Sequence, residues 1–289
     1  MEAFSTIASA LSVAALFNNC VNCFEYIQLG RHFGRDYERC QLKLDIAKTR
    51  LSRWGQAVAI NDDPRFTTDK PEDKSSQQVQ AILEEIEQLF GTLQKASKRY
   101  AIGAKQEDLE LFQIQDMQPV AQKLHNRLDV IVSQRQKRAG FFKKAAWALY
   151  DGKNFDKLVE QMTGFVDDLE KLFPVEGARR TLVKMEIEEI NEDEPSLRAL
   201  QSAAADTDSV LSQVAAERLE AYGGQNYAKS IQSEEKARVR VGNEWTEAAL
   251  SRSVGLAGPT RNGAESVAAK GSSAIHIGNR YGGRGIFDG

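Results

Sequence analysis

Cysteine, histidine and proline are scarce in this chain of 289 residues: three cysteines, three histidines and six prolines. Cys20, Cys23 and Cys40 all lie near the start, so no disulfide framework can span the chain. Cys20 and Cys23 have the two-residue spacing of half a zinc site, but the sequence offers no second close pair of ligands. The two read as buried thiols on an apolar helix. His32, His125 and His276 are too scattered for a metal cage. The HExxH, glycine-rich nucleotide-binding and GxSxG patterns are all missing, which leaves an enzyme with no constellation to rest on and implies no cofactor. Charge of one sign is missing too. With 27% charged residues the formal net charge is only −3, which argues against a nucleic-acid partner. No cationic stretch precedes the first apolar run, so no secretory leader is expected and the expected compartment is the cytoplasm.

What is present is a hydrophobic fraction of 42%, enough for a real core, distributed mostly at helical spacing. Residues 3–24, "AFSTIASALSVAALFNNCVNCF", carry no charge and include Phe4, Ile7, Leu11, Leu16 and Phe17. The run is long enough to span a bilayer, which takes about 20 apolar residues, but serines and asparagines dilute it. It reads as a buried N-terminal helix, or as a helix able to leave the core and enter lipid. Next come amphipathic patterns. Leu44, Ala47, Leu51, Trp54 and Val58 share one face over 36–59, and Val79, Ile82, Ile86, Leu89 and Leu93 share one over 75–100. Pro119 suits the first turn of a helix carrying Leu124, Leu128 and Ile131. Residues 153–173 stack Leu158, Met162, Phe165, Leu169 and Leu172. "NEDEP" (191–195) opens a last helix with Leu197, Leu200, Ala204, Leu211 and Val214, which Gly223-Gly224 ends. A basic cluster, Arg135, Lys137, Arg138, Lys143 and Lys144, interleaves with Phe141, Phe142 and Trp147; it reads as a solvated face or as a contact for anionic lipid. Residues 1–222 read as one all-helical domain.

After Gly224 the composition changes. Glycine, serine, asparagine and short period-two runs replace the helical stripes. Residues 223–289 are too polar to offset chain entropy alone, so this tail is expected to be disordered in a single molecule. Yet it repeats itself. "VRVGN" at 239–243 returns as "IHIGN" at 275–279, thirty-six residues later. At that offset Asn226 falls on Asn262, Ala228 on Ala264, Ile231 on Val267, Val239 on Ile275, Val241 on Ile277, Gly242 on Gly278 and Asn243 on Asn279. Charges reverse: Lys229 falls on Glu265 and Glu234 on Lys270.

Reversed charges make two unlike copies prefer to alternate in a stack, since like charges placed directly opposite destabilise a pair. The asparagines are placed for amide ladders of the cross-β kind. The apolar positions form one side of each strand, while Arg238, Arg240 and His276 fall on the other, expected to face water. Repeats 226–246 and 262–282, joined by a linker at 247–261, would form two rungs. A solenoid needs at least about three repeats to be stable, so two would order only against further copies.

These residues resemble the prion-forming domain of the fungal HET-s/HET-S family. The N-terminal part is similar to that family's helical HeLo domain in "LFNNCVNCFEY" (16–26), "GRHFGRDYERCQLKLDIAKTRLSRWG" (30–55), "INDDPRF" (60–66), "SKRY" (97–100) and "AWALYDGK" (146–153). The resemblance implies a role in heterokaryon incompatibility, a cell-death response to fusion of unlike strains. It implies a two-rung amyloid β-solenoid in the tail. In killer-type members, amyloid conversion remodels the helical domain, expels the N-terminal segment and turns a cytoplasmic protein into a pore-forming toxin at the membrane. The implied partners are the protein itself, homologous prion-forming variants, membrane lipid after activation, and a nucleotide-binding receptor bearing a matching amyloid motif. His32 falls where members divide into killer-type and silent prion-type, and histidine resembles the killer type. Two departures stand out: Lys236 falls opposite Ser272, so one ion pair found in relatives is missing, and Phe287 stands where a tryptophan can occur. A rival expectation is a prion-like scaffold that controls a partner without forming pores.

Overall fold

The computed structural model describes residues 11–68, 71–136, 146–190, 193–222, 225–245 and 261–282. The chain divides into two compact units, residues 1–215 and 216–289.

The first unit is built around one helix. α1 (Val13–Cys23) is capped by Ser12, whose hydroxyl accepts the Ala15 N–H, and α2 (Tyr37–Ala57) follows a short 3-10 segment, Arg31–Asp36. α2 is not the one-faced amphipathic helix that its apolar spacing suggests. Leu44, Ala47, Leu51 and Trp54 are buried as that spacing predicts, but so are Asp45, Lys48, Thr49, Arg50, Ser52 and Arg53. The other helices are α3 (Pro64–Thr67), α4 (Lys74–Gly103), α5 (Pro119–Arg135), α6 (Gly152–Leu172), α7 (Glu176–Glu189), α8 (Glu194–Ala204) and α9 (Ser209–Tyr222); α5, α6, α7 and α8 pack on α2, while α4 packs on α1 and α6. Their starts are chemically marked. Asp73, Asp151 and Asp193 each accept a backbone N–H from the first turn of α4, α6 and α8, satisfying donors that have no partner within the helix.

Two sequence expectations change here. The unit is not purely helical: β1 (Ile27–Leu29) pairs in parallel with β2 (Trp147–Leu149). Three-residue strands are too short to show a period. The last helix is in fact two. Asp208 interrupts it, accepting the Leu211 N–H at the start of α9, while Thr207 and Asp208 are held from α2.

Beyond α9 the described residues of the second unit form strands and turns. These are β3 (Gln225–Ser233), β4 (Arg238–Val241) and β5 (Glu244–Trp245) in the first repeat, and β6 (Arg261–Ala269), β7 (Ala274–Ile277) and β8 (Arg280–Tyr281) in the second. β3 pairs with β6, β4 with β7 and β5 with β8, all parallel. This differs from a tail without structure in a single chain. Joining the two copies covalently lets every strand find one partner without a second molecule, at a loop-closure cost that grows only slowly with length.

Candidate functional site

The register between the repeats is the offset of thirty-six residues throughout. Asn226 lies beside Asn262, Ala228 beside Ala264, Ile231 beside Val267, Val239 beside Ile275 and Val241 beside Ile277. Backbone bonds continue around the corners, from Lys270 N to Ser233 O (2.8 Å), Ala274 N to Ala237 O (2.9 Å) and Gly278 N to Val241 O (2.9 Å). A one-residue slip would turn every side chain to the wrong face, and this continuous ladder resists it.

The asparagines meet in two directions. Asn226 Nδ2 donates to Asn262 Oδ1 at 2.8 Å, between repeats. Asn262 Nδ2 donates to Asn279 Oδ1 at 3.0 Å, within one repeat, and the Asn243 backbone N–H donates to the same oxygen at 3.1 Å. Thus the amides both stack the copies and draw the ends of the second coil together. Gly242 and Gly278 lie where the chain turns, at φ 156° and 152°. The close approach is at Gly242: a Cβ there would come within 1.8 Å of the Gly278 carbonyl oxygen. A Cβ on Gly278 would meet nothing closer than His276 Nε2, at 3.4 Å.

The charged positions divide. Lys270 Nζ is 3.5 Å from Glu234 Oε1, both side chains well exposed. Lys229 and Glu265 make no ion pair among the described residues. A pair the offset comparison passed over does form: Glu244 falls on Arg280, and the two meet at 2.5 Å, with Arg240 on the other carboxylate oxygen. Arg240 therefore does not face water as its strand position suggests; its side chain is only 9% exposed. Of the apolar set, Ile231 is buried, whereas Val267 and Ile277 remain 48% and 40% exposed. Residues 247–260 of the linker, Phe287, and Lys137, Arg138, Phe141, Phe142, Lys143 and Lys144 of the basic cluster lie outside the described residues.

The tail and the helical unit each match a known family. A model described as "Het-s 218-289" matches residues 218–282, and the HeLo model, described as prion-inhibition and propagation, matches residues 5–200. The chain belongs to the HET-s family. Heterokaryon incompatibility protein s of Podospora anserina is 55% identical over 287 residues, which is 99% of each chain. Heterokaryon incompatibility protein S from a strain of the same fungus matches equally, at 55% over 287 residues. A solved HET-s N-terminal domain superposes with a TM-score of 0.73 at 58% identity, covering 74% of this chain and 100% of that one. A doubly substituted form of that domain gives 0.71, covering 73% and 99%.

In this HET-s chain the N-terminal segment is described from Leu11. Phe4 and Ile7 lie outside the described residues. Leu16 and Phe17 are buried on α1. Phe17 packs over Gly55 of α2 so tightly that a Cβ there would sit 2.1 Å from the ring, and its centroid lies 6.1 Å from that of Trp54. Polar contacts add to this. Asn18 Nδ2 donates to Asn61 Oδ1 (2.7 Å), and the buried Cys20 thiol lies 3.3 Å from the Leu83 carbonyl. Among the described residues no helix is long and apolar enough to cross a membrane. His32 lies in the 3-10 segment between β1 and α2.

Cationic pins on α2 are the part that sequence reasoning missed. Lys48 reaches Asp129 of α5 (2.9 Å) and Arg50 reaches Asp167 and Glu170 of α6 (2.5 and 2.8 Å). Arg53 forks onto Glu186 of α7 (2.6 Å) and reaches Asp208 before α9 (2.6 Å), all three almost fully buried. Burial works against the Arg53 charge, but Asp208 and Glu186 outweigh it and raise its pKa. The same arginine holds Asp208 ionised: burial would raise that carboxyl, and Arg53 brings it below its ordinary value. A run of basic residues inside an apolar helical stripe was the available signal.

Proposed function

We propose that this HET-s family member is a non-enzymatic effector of heterokaryon incompatibility and programmed cell death. Its helical domain is residues 1–222 and its prion-forming domain residues 223–289. Amyloid templating of the second turns it into a two-rung β-solenoid that grows by stacking. The change remodels the first and releases residues 3–24 to permeabilise the cell membrane.

The observation that carries this reading is the in-register parallel pairing of β3 with β6 and β4 with β7. Each of these sheets has two strands, so each strand keeps one edge unpaired within the sheet. Unpaired edges are templates for another chain. The next copy can repeat the same hydrogen bonds, the amide stack of Asn226 on Asn262, and the alternation of Glu234 with Lys270. Val267 and Ile277, still partly exposed, would gain cover in the stack. The partners on this reading are further copies of the chain, homologous prion-forming variants and a receptor presenting a matching motif; His32 fits the killer type.

Seeding the full-length protein with preformed fibres of its own tail, beside dye-loaded liposomes, tests both halves. Conversion followed by dye release is expected. No conversion removes the templating step, and conversion with intact liposomes removes the membrane step.

The scaffold reading has one observation in its favour. α1 holds 11 residues, about 16 Å of helix, against a hydrocarbon thickness of about 30 Å. On that reading α1 stays in the core after conversion, and the fibre acts on a partner. A cross-link between α1 and α2 that leaves killing intact would favour it.

A further inference from the structure

A cleft of about 540 Å³ opens beside the 3-10 segment Arg31–Asp36, between the end of α4 and the start of α6. Its walls are aromatic and acidic. Tyr100 and Tyr150 stack with centroids 5.2 Å apart and planes 17° apart, and Phe33 meets Phe155 edge-on at 5.5 Å. Gly30 lies so close to Tyr150 that a Cβ there would come within 2.8 Å of Cδ1, so this ring is held firmly. Asp36 and Asp156 open onto the cleft, and neither has a hydrogen bond or ion pair among the described residues. Asp151 is already engaged in capping α6. No lysine, arginine or histidine is among the described lining residues. Arg39 and Lys43, on the same helix as Cys40, both pair with Asp206.

Among the described residues the charged groups lining the cleft are therefore carboxylates. Burial above all, then Asp36 and Asp156, push the thiol of Cys40, on its wall, up to about 11 against the opposing effect of Lys43 and Arg39. Among the described residues no group of three His, Cys, Asp or Glu side chains could hold a metal ion. Aromatic faces beside carboxylates suit a different guest, a diffuse organic cation that is attracted by ring quadrupoles and needs no acceptor at a fixed angle. The volume is in the range of small-ligand sites.

We propose that this cleft binds a quaternary ammonium group, held by Tyr100 and Tyr150 and neutralised by Asp36 and Asp156. Such a group occurs on choline-bearing lipid headgroups and on free choline-type solutes. The proposal is independent of the templating mechanism, since every residue it uses lies in the helical unit.

The test is titration of the soluble full-length protein with tetramethylammonium chloride, followed by tyrosine fluorescence, against sodium chloride at equal ionic strength. Saturable binding of tetramethylammonium and none of sodium is expected. Tyr100→Leu should weaken it by about two- to thirtyfold, the range of one cation–π contact, while Tyr100→Phe keeps most of it. Asp36→Asn should weaken it as well. Helical circular dichroism of each variant separates loss of the site from loss of the fold; Tyr100 is 37% exposed, so its replacement leaves the core intact. Equal responses to both salts, or a folded Tyr100→Leu protein that binds as tightly as the parent, would overturn the proposal. Phosphatidylcholine and phosphatidylglycerol vesicles then separate the sources. Retention on phosphatidylcholine alone, displaced by tetramethylammonium, assigns the lipid headgroup; tetramethylammonium binding without retention assigns a free solute.

Discussion

The two units are held together by different physics. In the helical unit α2 brings three cations inside and meets each with a carboxylate from another helix. Asp208, Glu186 and Arg53 are almost completely removed from water and answer one another. In the repeat unit the polar contacts are amides, one exposed ion pair and the partly covered cluster of Arg240, Glu244 and Arg280, the apolar positions are half covered, and the sheets have two strands each. One unit pairs the buried charges of its central helix internally. The other carries unused capacity along its edges. A unit of the first kind resists change until one internal partner is lost, and then fails at once. A unit of the second kind changes by addition.

Breaking that contrast should begin with Arg53→Met. Removing one partner leaves Glu186 and Asp208 facing burial with less compensation, a loss of about 3–5 kcal/mol. Urea unfolding followed by helical circular dichroism should show it, and the seeded conversion rate of the tail should rise rather than fall. An unchanged midpoint would mean that water already reaches the pins.

Gly242→Ala acts on the other unit. The new methyl would collide with the Gly278 carbonyl, and the backbone strain alone is about 1–3 kcal/mol. Fibre formation should be lost while the helical melting transition stays in place. Gly278→Ala, with 3.4 Å to its nearest neighbour, should be milder; equal effects from the two would show that the corner is not packed as described. Asn226→Ala removes one amide bond, about 0.5–1.5 kcal/mol per molecule, and should raise the fibre's critical concentration roughly up to tenfold.

Two smaller effects sharpen the comparison. Lys270→Ala removes an exposed pair contributing about 0–1 kcal/mol, so its fibres should persist at high salt like the parent's. In the helical unit, the Asp45 carboxylate, accepting from the His125 ring, raises the His125 pKa. A raised folded pKa gives stability that is complete below the unfolded value of about 6.5 and is lost as pH climbs through the folded one. Helical melting should therefore weaken from about pH 6 upward, and His125→Asn should flatten that slope.

Much of this was legible beforehand, unevenly. The tail could be aligned from letters alone, because parallel copies of one phrase must lie side by side wherever they pair. The pairing of Glu244 with Arg280 follows from the same offset, but the added grip of Arg240 on Glu244 depends on the fold. In the helical unit the spacing of Leu44, Ala47, Leu51 and Trp54 announced α2 but not its central position. That depends on carboxylates 81 to 155 residues away, and a linear pattern does not list partners. α7 went unseen because Val183 and Ile187 lie among charges, and Glu186, one of those charges, is buried against Arg53. The break between α8 and α9 has the same origin, since Arg50 and Arg53 grip the chain there.

Parallel pairing at one constant offset has a further meaning in the language of symmetry. It relates one repeat to the next by a shift along an axis, with no rotation that brings the series back to its start. Rings and dimers close and so have a built-in size; a series generated by displacement has none. If the same operation that carries β3 onto β6 carries one molecule onto the next, the extent of the assembly is set by supply, and the smallest fragment contains the full instruction for the largest.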